Sequence, residues 1–134
     1  MGNLAIRFLN NEGKPVTEEA VDKLVRKIRE NHCRSAWLAL DEYGEEEFLS
    51  LDIDNGWAAL AFNTYDEDDE AHMYQPVNVE YDISQEEAPV SIAGQTPVLK
   101  RNTLNDLNLV AECVLYFAKT GQLYPDLTWE EVQE

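Results

Sequence analysis

Between Ser35 and Leu99 the chain has no lysine or arginine, while it carries sixteen aspartates and glutamates there. Residues 1–34 are net +2, residues 35–99 net −16 and residues 100–134 net −3. The negative charge of this 134-residue chain is therefore a property of its middle. Such a block repels nucleic acid and anionic membrane and attracts a basic partner at high on-rate. Nucleic-acid binding needs a basic stripe with aromatics, and here the arrangement is the reverse.

Other scarcities exclude other chemistries. Histidines number two, His32 and His72, and cysteines two, Cys33 and Cys113. They are too scattered for a zinc site, which needs about four ligands at fixed spacing. His32 and Cys33 are neighbours in sequence at a helix end, so their side chains diverge and do not make a base–thiol pair. Cys113 falls beside an apolar helical stripe and is expected to be a core thiol. Gly13, Gly44, Gly56, Gly94 and Gly121 each stand alone, so no glycine loop cradles a phosphate. Nothing selects one carboxylate pair for acid–base work. No catalytic residue, metal or cofactor is expected.

No apolar run approaches the roughly 18 residues that cross a bilayer. Met1-Gly2-Asn3-Leu4 has neither a basic start nor a long apolar run, so no secretory signal is expected. Two cysteines without a CxxC pattern fit reduced thiols. Together these predict a cytoplasmic protein. With 44% hydrophobic residues the chain can bury a core, and its length suits one domain over 1–134.

The pattern of elements predicts an α+β fold, one antiparallel β-sheet with two helices packed against it. Asn3–Leu9 reads as a strand and residues 10–15 as a turn. Thr17 reads as an N-cap, followed by Glu18 and Glu19 in the first turn. Val21, Leu24, Val25 and Ile28 make one helical stripe ending near Asn31. Ala36–Leu40, Phe48–Ile53 and Trp57–Phe62 read as a strand meander, its second turn carrying the Asn55-Gly56 hairpin signature. Met73–Tyr74, Val77–Ile83 and Val90–Ala93 read as further strand, with Pro76 interrupting and residues 94–97 as a turn. A second helix is expected from a cap at Asn102 or Thr103, through Leu104, Leu107, Val110, Ala111, Val114 and Ala118, to Gly121 as C′ glycine. Leu127–Trp129 reads as a last short strand. Trp37 and Trp57, inside apolar strands, are expected in the core.

The run Asp66, Glu67, Asp68, Asp69, Glu70 invites comparison with a calcium loop. An EF-hand starting at Asp66 needs Gly at its sixth position and Glu at its twelfth, where the chain has Ala71 and Val77. A solvated loop, a docking surface and casual divalent binding remain as readings. Lys100-Arg101, the first basic residues after Arg34, either complement the acidic surface internally or lie at the start of the second helix.

The C-terminal stretch is a helix followed by Phe117-Ala118-Lys119-Thr120-Gly121-Gln122-Leu123-Tyr124-Pro125-Asp126-Leu127-Thr128-Trp129-Glu130. It resembles the closing signature of the first immunity protein family of bacterial polymorphic toxin systems. In that signature a helix ends in an aromatic and a Thr-Gly stop, and a proline and a hydrophobic-x-Trp strand follow. The Asn55-Gly56-Trp57 hairpin is similar to that family's sheet. Two features depart from the pattern: the long approach Gln95–Thr103, and Tyr124 where a basic residue would precede the proline. A subfamily with its own cognate toxin would account for both.

The resemblance implies a non-enzymatic immunity protein that neutralises a toxin domain, often a nucleic-acid deaminase, by occluding its basic cleft. The partner is then a basic protein, with neither nucleic acid nor membrane, and the inhibitor a monomer or weak homodimer. The expected contact surface is the acidic loop Asp66, Glu67, Asp68, Asp69 and Glu70 together with Asp41, Glu42, Glu45, Glu46 and Glu47. Hairpin connections alternate between sheet ends, so the turn at 43–44 and the loop at 65–71 should share one end. Trp129 is the candidate aromatic anchor. Two alternatives stay open: an acidic adaptor unrelated to toxins, and a small carboxylate- or metal-dependent enzyme.

Overall fold

The computed structural model describes residues 4–9, 16–41, 46–92 and 95–132. Its strands are β1 (Phe8–Leu9), β2 (Ser35–Ala39), β3 (Phe48–Asp54), β4 (Trp57–Tyr65), β5 (Ala71–Pro76), β6 (Glu87–Ile92), β7 (Thr96–Leu99), β8 (Thr103–Leu104) and β9 (Trp129–Glu131). Its helices are α1 (Glu18–Arg29) and α2 (Leu107–Thr120). The fold is α+β, with every strand pair antiparallel. Seven strands form the main sheet in the order β1-β2-β3-β4-β5-β9, with β8 on the first half of β4 beside β5. Among the described residues no helix is long and apolar enough to cross a membrane.

The single expected sheet is in fact two. β6 and β7 form a separate ribbon that lies against β3 and β4. Strand parity explains the arrangement. In the register Leu38↔Leu49, Leu49↔Phe62 and Leu51↔Leu60, large apolar side chains share the face beneath the helices. There they meet Val21, Leu24 and Ile28 of α1 and Val110, Val114 and Phe117 of α2. Ala59, on the opposite face, packs under Val90 and Val98 of the ribbon, with Trp57 alongside. A central strand apolar at nearly every position is one covered on both sides.

Local chemistry sets the element ends. Thr17 Oγ1 accepts from the Ala20 backbone N–H at 3.1 Å, the expected N-cap. Asn55 and Gly56 both have positive φ, 54° and 78°, as a two-residue hairpin turn of matching twist demands. Gly121 (φ 73°) ends α2, its N–H donating to Phe117 C=O. A side chain there would meet Leu40 Cδ2 at 3.2 Å, a second reason for glycine.

α2 starts later than expected. Asp106, not Asn102 or Thr103, is its N-cap, accepting from Asn108 and Leu109 N–H. This releases Thr103 and Leu104 to pair with Ala59 and Ala58 of β4. Residues 77–83 are not strand. The Asn78 side chain accepts from Glu80 N–H and donates to Thr103 C=O, bending the chain into a 3-10 turn over Val79–Tyr81. β1 is shorter than expected because Ala5 and Ile6 instead donate to Ala118 C=O near the end of α2. That docking satisfies a carbonyl the helix cannot pair internally.

Trp37 is not in the core. It alternates with buried Leu38, so it points to the ribbon side, where it stays 37% exposed and stacks on Phe48 with ring centroids 4.0 Å apart. Trp57 is half-buried, edge-on to Tyr81 at 5.3 Å, with Lys100 Nζ 5.6 Å from its ring centroid.

Candidate functional site

The β4–β5 connection is an ordered acidic turn built around Asp66. Its Oδ1 accepts from Asp68 N–H at 2.8 Å and Glu70 N–H at 3.0 Å. Asp69 takes the left-handed region (φ 59°), which Asp tolerates better than most residues. The side chains of Glu67, Asp68, Asp69 and Glu70 stay in solvent. On the neighbouring β2–β3 connection Asp41 Oδ1 accepts from Glu46 and Glu47 N–H at 3.1 and 3.2 Å. Asp41 thus bonds back to the residues that lead into β3. Glu42 and Glu45 lie outside the described residues.

The two connections share one end of the sheet. Thr64 Oγ1 donates to Glu47 Oε2 at 3.2 Å. Glu46, Glu47, Tyr65, Asp66 and Asp69 line one open depression of about 590 Å³, with no basic residue among them. Trp129 is elsewhere. It pairs with Pro76 at the far end of β5, and its Nε1–H donates to Tyr124 C=O at 3.0 Å. Trp129 thereby closes the C-terminal strand onto the segment after α2.

One basic side chain in this end escaped the sequence reading. His72 Nε2 lies 2.8 Å from Asp66 Oδ2, and Nδ1 lies 3.1 Å from Glu131 Oε1. Ionised carboxylates only accept, so making both bonds at once requires a hydrogen on each ring nitrogen, the imidazolium form. The hydrogen bond to Asp66, then that to Glu131, raises the His72 pKa above its ordinary 6.5. The same bond to His72 holds Asp66 below its ordinary 3.8. Nothing in sequence pairs residues 66, 72 and 131; strand register does.

Asp66, Glu70 and His72 also bring one ligand-type atom each to within 4.8 Å of one another. Both His72 nitrogens already face carboxylates, Asp66 within this group and Glu131 outside it.

The linkage has a definite sign. A raised histidine pKa contributes stability fully present below the unfolded value near 6.5 and lost as pH rises through the folded value. Asp66 contributes above 3.8, and that is lost as pH falls through its depressed folded value. The stability advantage of wild type over His72→Gln is therefore expected to be larger at about pH 5.5 than at about pH 9. Urea midpoints at the two pH values check this; equal differences would refute the imidazolium.

Several basic residues lie in a separate groove or pair with acids. Lys23, Lys27, His32 and Arg34 line a separate groove of about 530 Å³ between α1 and the start of β2. Lys100 Nζ pairs with Glu86 at 2.9 Å, and Arg101 pairs with Glu130. Both therefore complement acidic groups internally; neither starts α2.

Neither cysteine is set up as a nucleophile. Cys33 is buried, its S–H donating to Ser35 C=O at 3.5 Å, and burial raises its pKa. Burial pushes the Cys113 thiol up to about 12. Compared with protein-family models, curated proteins and solved structures, the chain matches none.

Proposed function

We propose that this protein is an immunity-type inhibitor that captures a basic toxin domain through the acidic end of its sheet. The observation that carries the reading is the depression where Glu46, Glu47, Asp66 and Asp69 converge from two connections with no basic residue among its lining. A toxin acting on nucleic acid, such as a deaminase, presents a basic cleft; a compact polyanion seated in it excludes substrate. The closing sequence Phe117–Glu130, which resembles that of an immunity family, supports the same reading. The protein then works in the cytoplasm, as a monomer or weak homodimer, without nucleic acid, membrane or cofactor, and performs no catalysis.

The test is a pull-down of the tagged protein against the catalytically inactivated toxin domain encoded immediately upstream, at about 150 mM salt and above. The expected result is capture that weakens as salt rises. No capture at low salt would favour an acidic adaptor for an unrelated basic protein. Electrostatic steering also predicts that Asp68→Lys with Asp69→Lys slows association about tenfold and flattens its salt dependence. An unchanged on-rate would remove this loop from the docking path.

A further inference from the structure

The ribbon covers only part of the sheet face opposite the helices. It sits over the end marked by Asp52, Asp54 and Ala59, where Asn55 Nδ2 donates to Pro89 C=O. The other half of that face holds Trp37, Phe48, Asn63, Tyr65 and Met73. The register Trp37↔Ser50, Ser50↔Ala61, Phe48↔Asn63 and Asn63↔Met73 puts all of them on one side. Trp37 is 37% and Tyr65 51% exposed, and both rank among the most exposed large apolar side chains described. This half-face runs directly into the acidic depression. Phe48 follows Glu47 in β3, and Tyr65 itself lines the depression beside Asp66 and Asp69.

Resting on the reading above, we infer that the basic partner docks on this half-face, with Trp37, stacked on Phe48, and Tyr65 as its anchors. The occupant is a protein surface bearing arginine or lysine. A guanidinium lying over Trp37 or Tyr65 gains from the ring face and from the neighbouring carboxylates at once. Carboxylates on the rim exclude an anionic occupant such as a nucleic acid. The division of labour follows from position. Rim carboxylates act at long range and set the on-rate; the aromatic pair acts only on contact and sets the off-rate.

Dissociation of the inactivated upstream toxin domain is measured from wild type, Trp37→Ala, Tyr65→Ala and, as a control off this face, Ile83→Ser. Trp37→Ala is expected to raise the off-rate roughly thirtyfold, the scale of an aromatic hot spot, with the on-rate nearly unchanged. Ile83→Ser should leave both rates as in wild type, although Ile83 is 88% exposed. Hydrogen exchange on the wild-type complex needs no variant to fold; it should show slowed exchange in β2, β3 and the second half of β4. Wild-type binding with unchanged off-rates in both aromatic variants and protection elsewhere overturns this surface and leaves the inhibitor reading standing. No binding by wild type overturns both.

Discussion

Phe117→Ala is expected to lower unfolding stability by about 3–5 kcal/mol. Phe117 is the largest fully buried side chain described, 1% exposed. It projects from the last turns of α2 toward the sheet and meets Phe62 of β4 edge-to-face, ring centroids 5.6 Å apart. Truncation removes the transfer energy of the ring and leaves a cavity that its neighbours cannot close. Those neighbours are held from two sides: Phe62 by the β4 ladder, and the end of α2 by Gly121 and by Ala5 and Ile6 on Ala118 C=O. Domains of this size have about 5–15 kcal/mol in total, so the loss is a large share. The urea midpoint should fall with the slope unchanged. Phe117→Leu, which fills most of the space, should cost much less. A loss under about 1 kcal/mol for the alanine variant would mean that α2 does not seat on the sheet as described.

What the sequence made legible follows the range of the forces involved. Periodicity and capping are local, so the stripe of α1, Thr17, the Asn55-Gly56 turn and Gly121 were readable residue by residue. The sharing of one sheet end by the two acidic connections was also readable, because hairpin connectivity alone fixes it. Three features were not. Trp37 and Leu38 are equally apolar, and only the placement of the helices decides which of the two is buried. The start of α2 was ambiguous because Asn102, Thr103 and Asp106 all cap well; pairing of Thr103 and Leu104 with β4 decides among them. The His72 cluster depends on β9 lying beside β5, a contact between residues 59 positions apart. The acidic end was thus visible as a charge excess, while its cation and its aromatic border were products of topology.

A further long-range feature, the environment of Arg101, carries the second large prediction. Its Nε and Nη2 donate to the Glu130 carboxylate at 3.2, 3.0 and 2.9 Å, and Nη1 donates to Asp82 C=O at 2.6 Å. Buried Asn102 adds a bond to Glu130 at 2.8 Å and another to Pro76 C=O at 3.2 Å. One guanidinium and one amide thereby tie the segment before β8 to β9, the end of β5 and the turn after Val79–Tyr81. Arg101→Met keeps the stem and removes the donors, leaving a half-buried carboxylate with one partner. A cost of about 2 kcal/mol is expected, the worth of charge-assisted bonds reduced for partial exposure. Arg29 and Glu112 make an ion pair of similar length, 3.1 Å, but with side chains 40% and 49% exposed. Arg29→Met should therefore cost no more than about 0.5 kcal/mol.

The pH dependence separates the two further. Asn102 first and Arg101 second hold the Glu130 carboxyl below its ordinary 4.5. A depressed carboxyl pKa contributes stability present above the unfolded value and lost as pH falls through the folded one. The gap between wild type and Arg101→Met should thus be full at neutral pH and narrow below about pH 4. Urea denaturation of both proteins across that range measures it. A gap that stayed constant into acid would show that Arg101 acts through its bond to Asp82 C=O and its packing, with Glu130 a bystander.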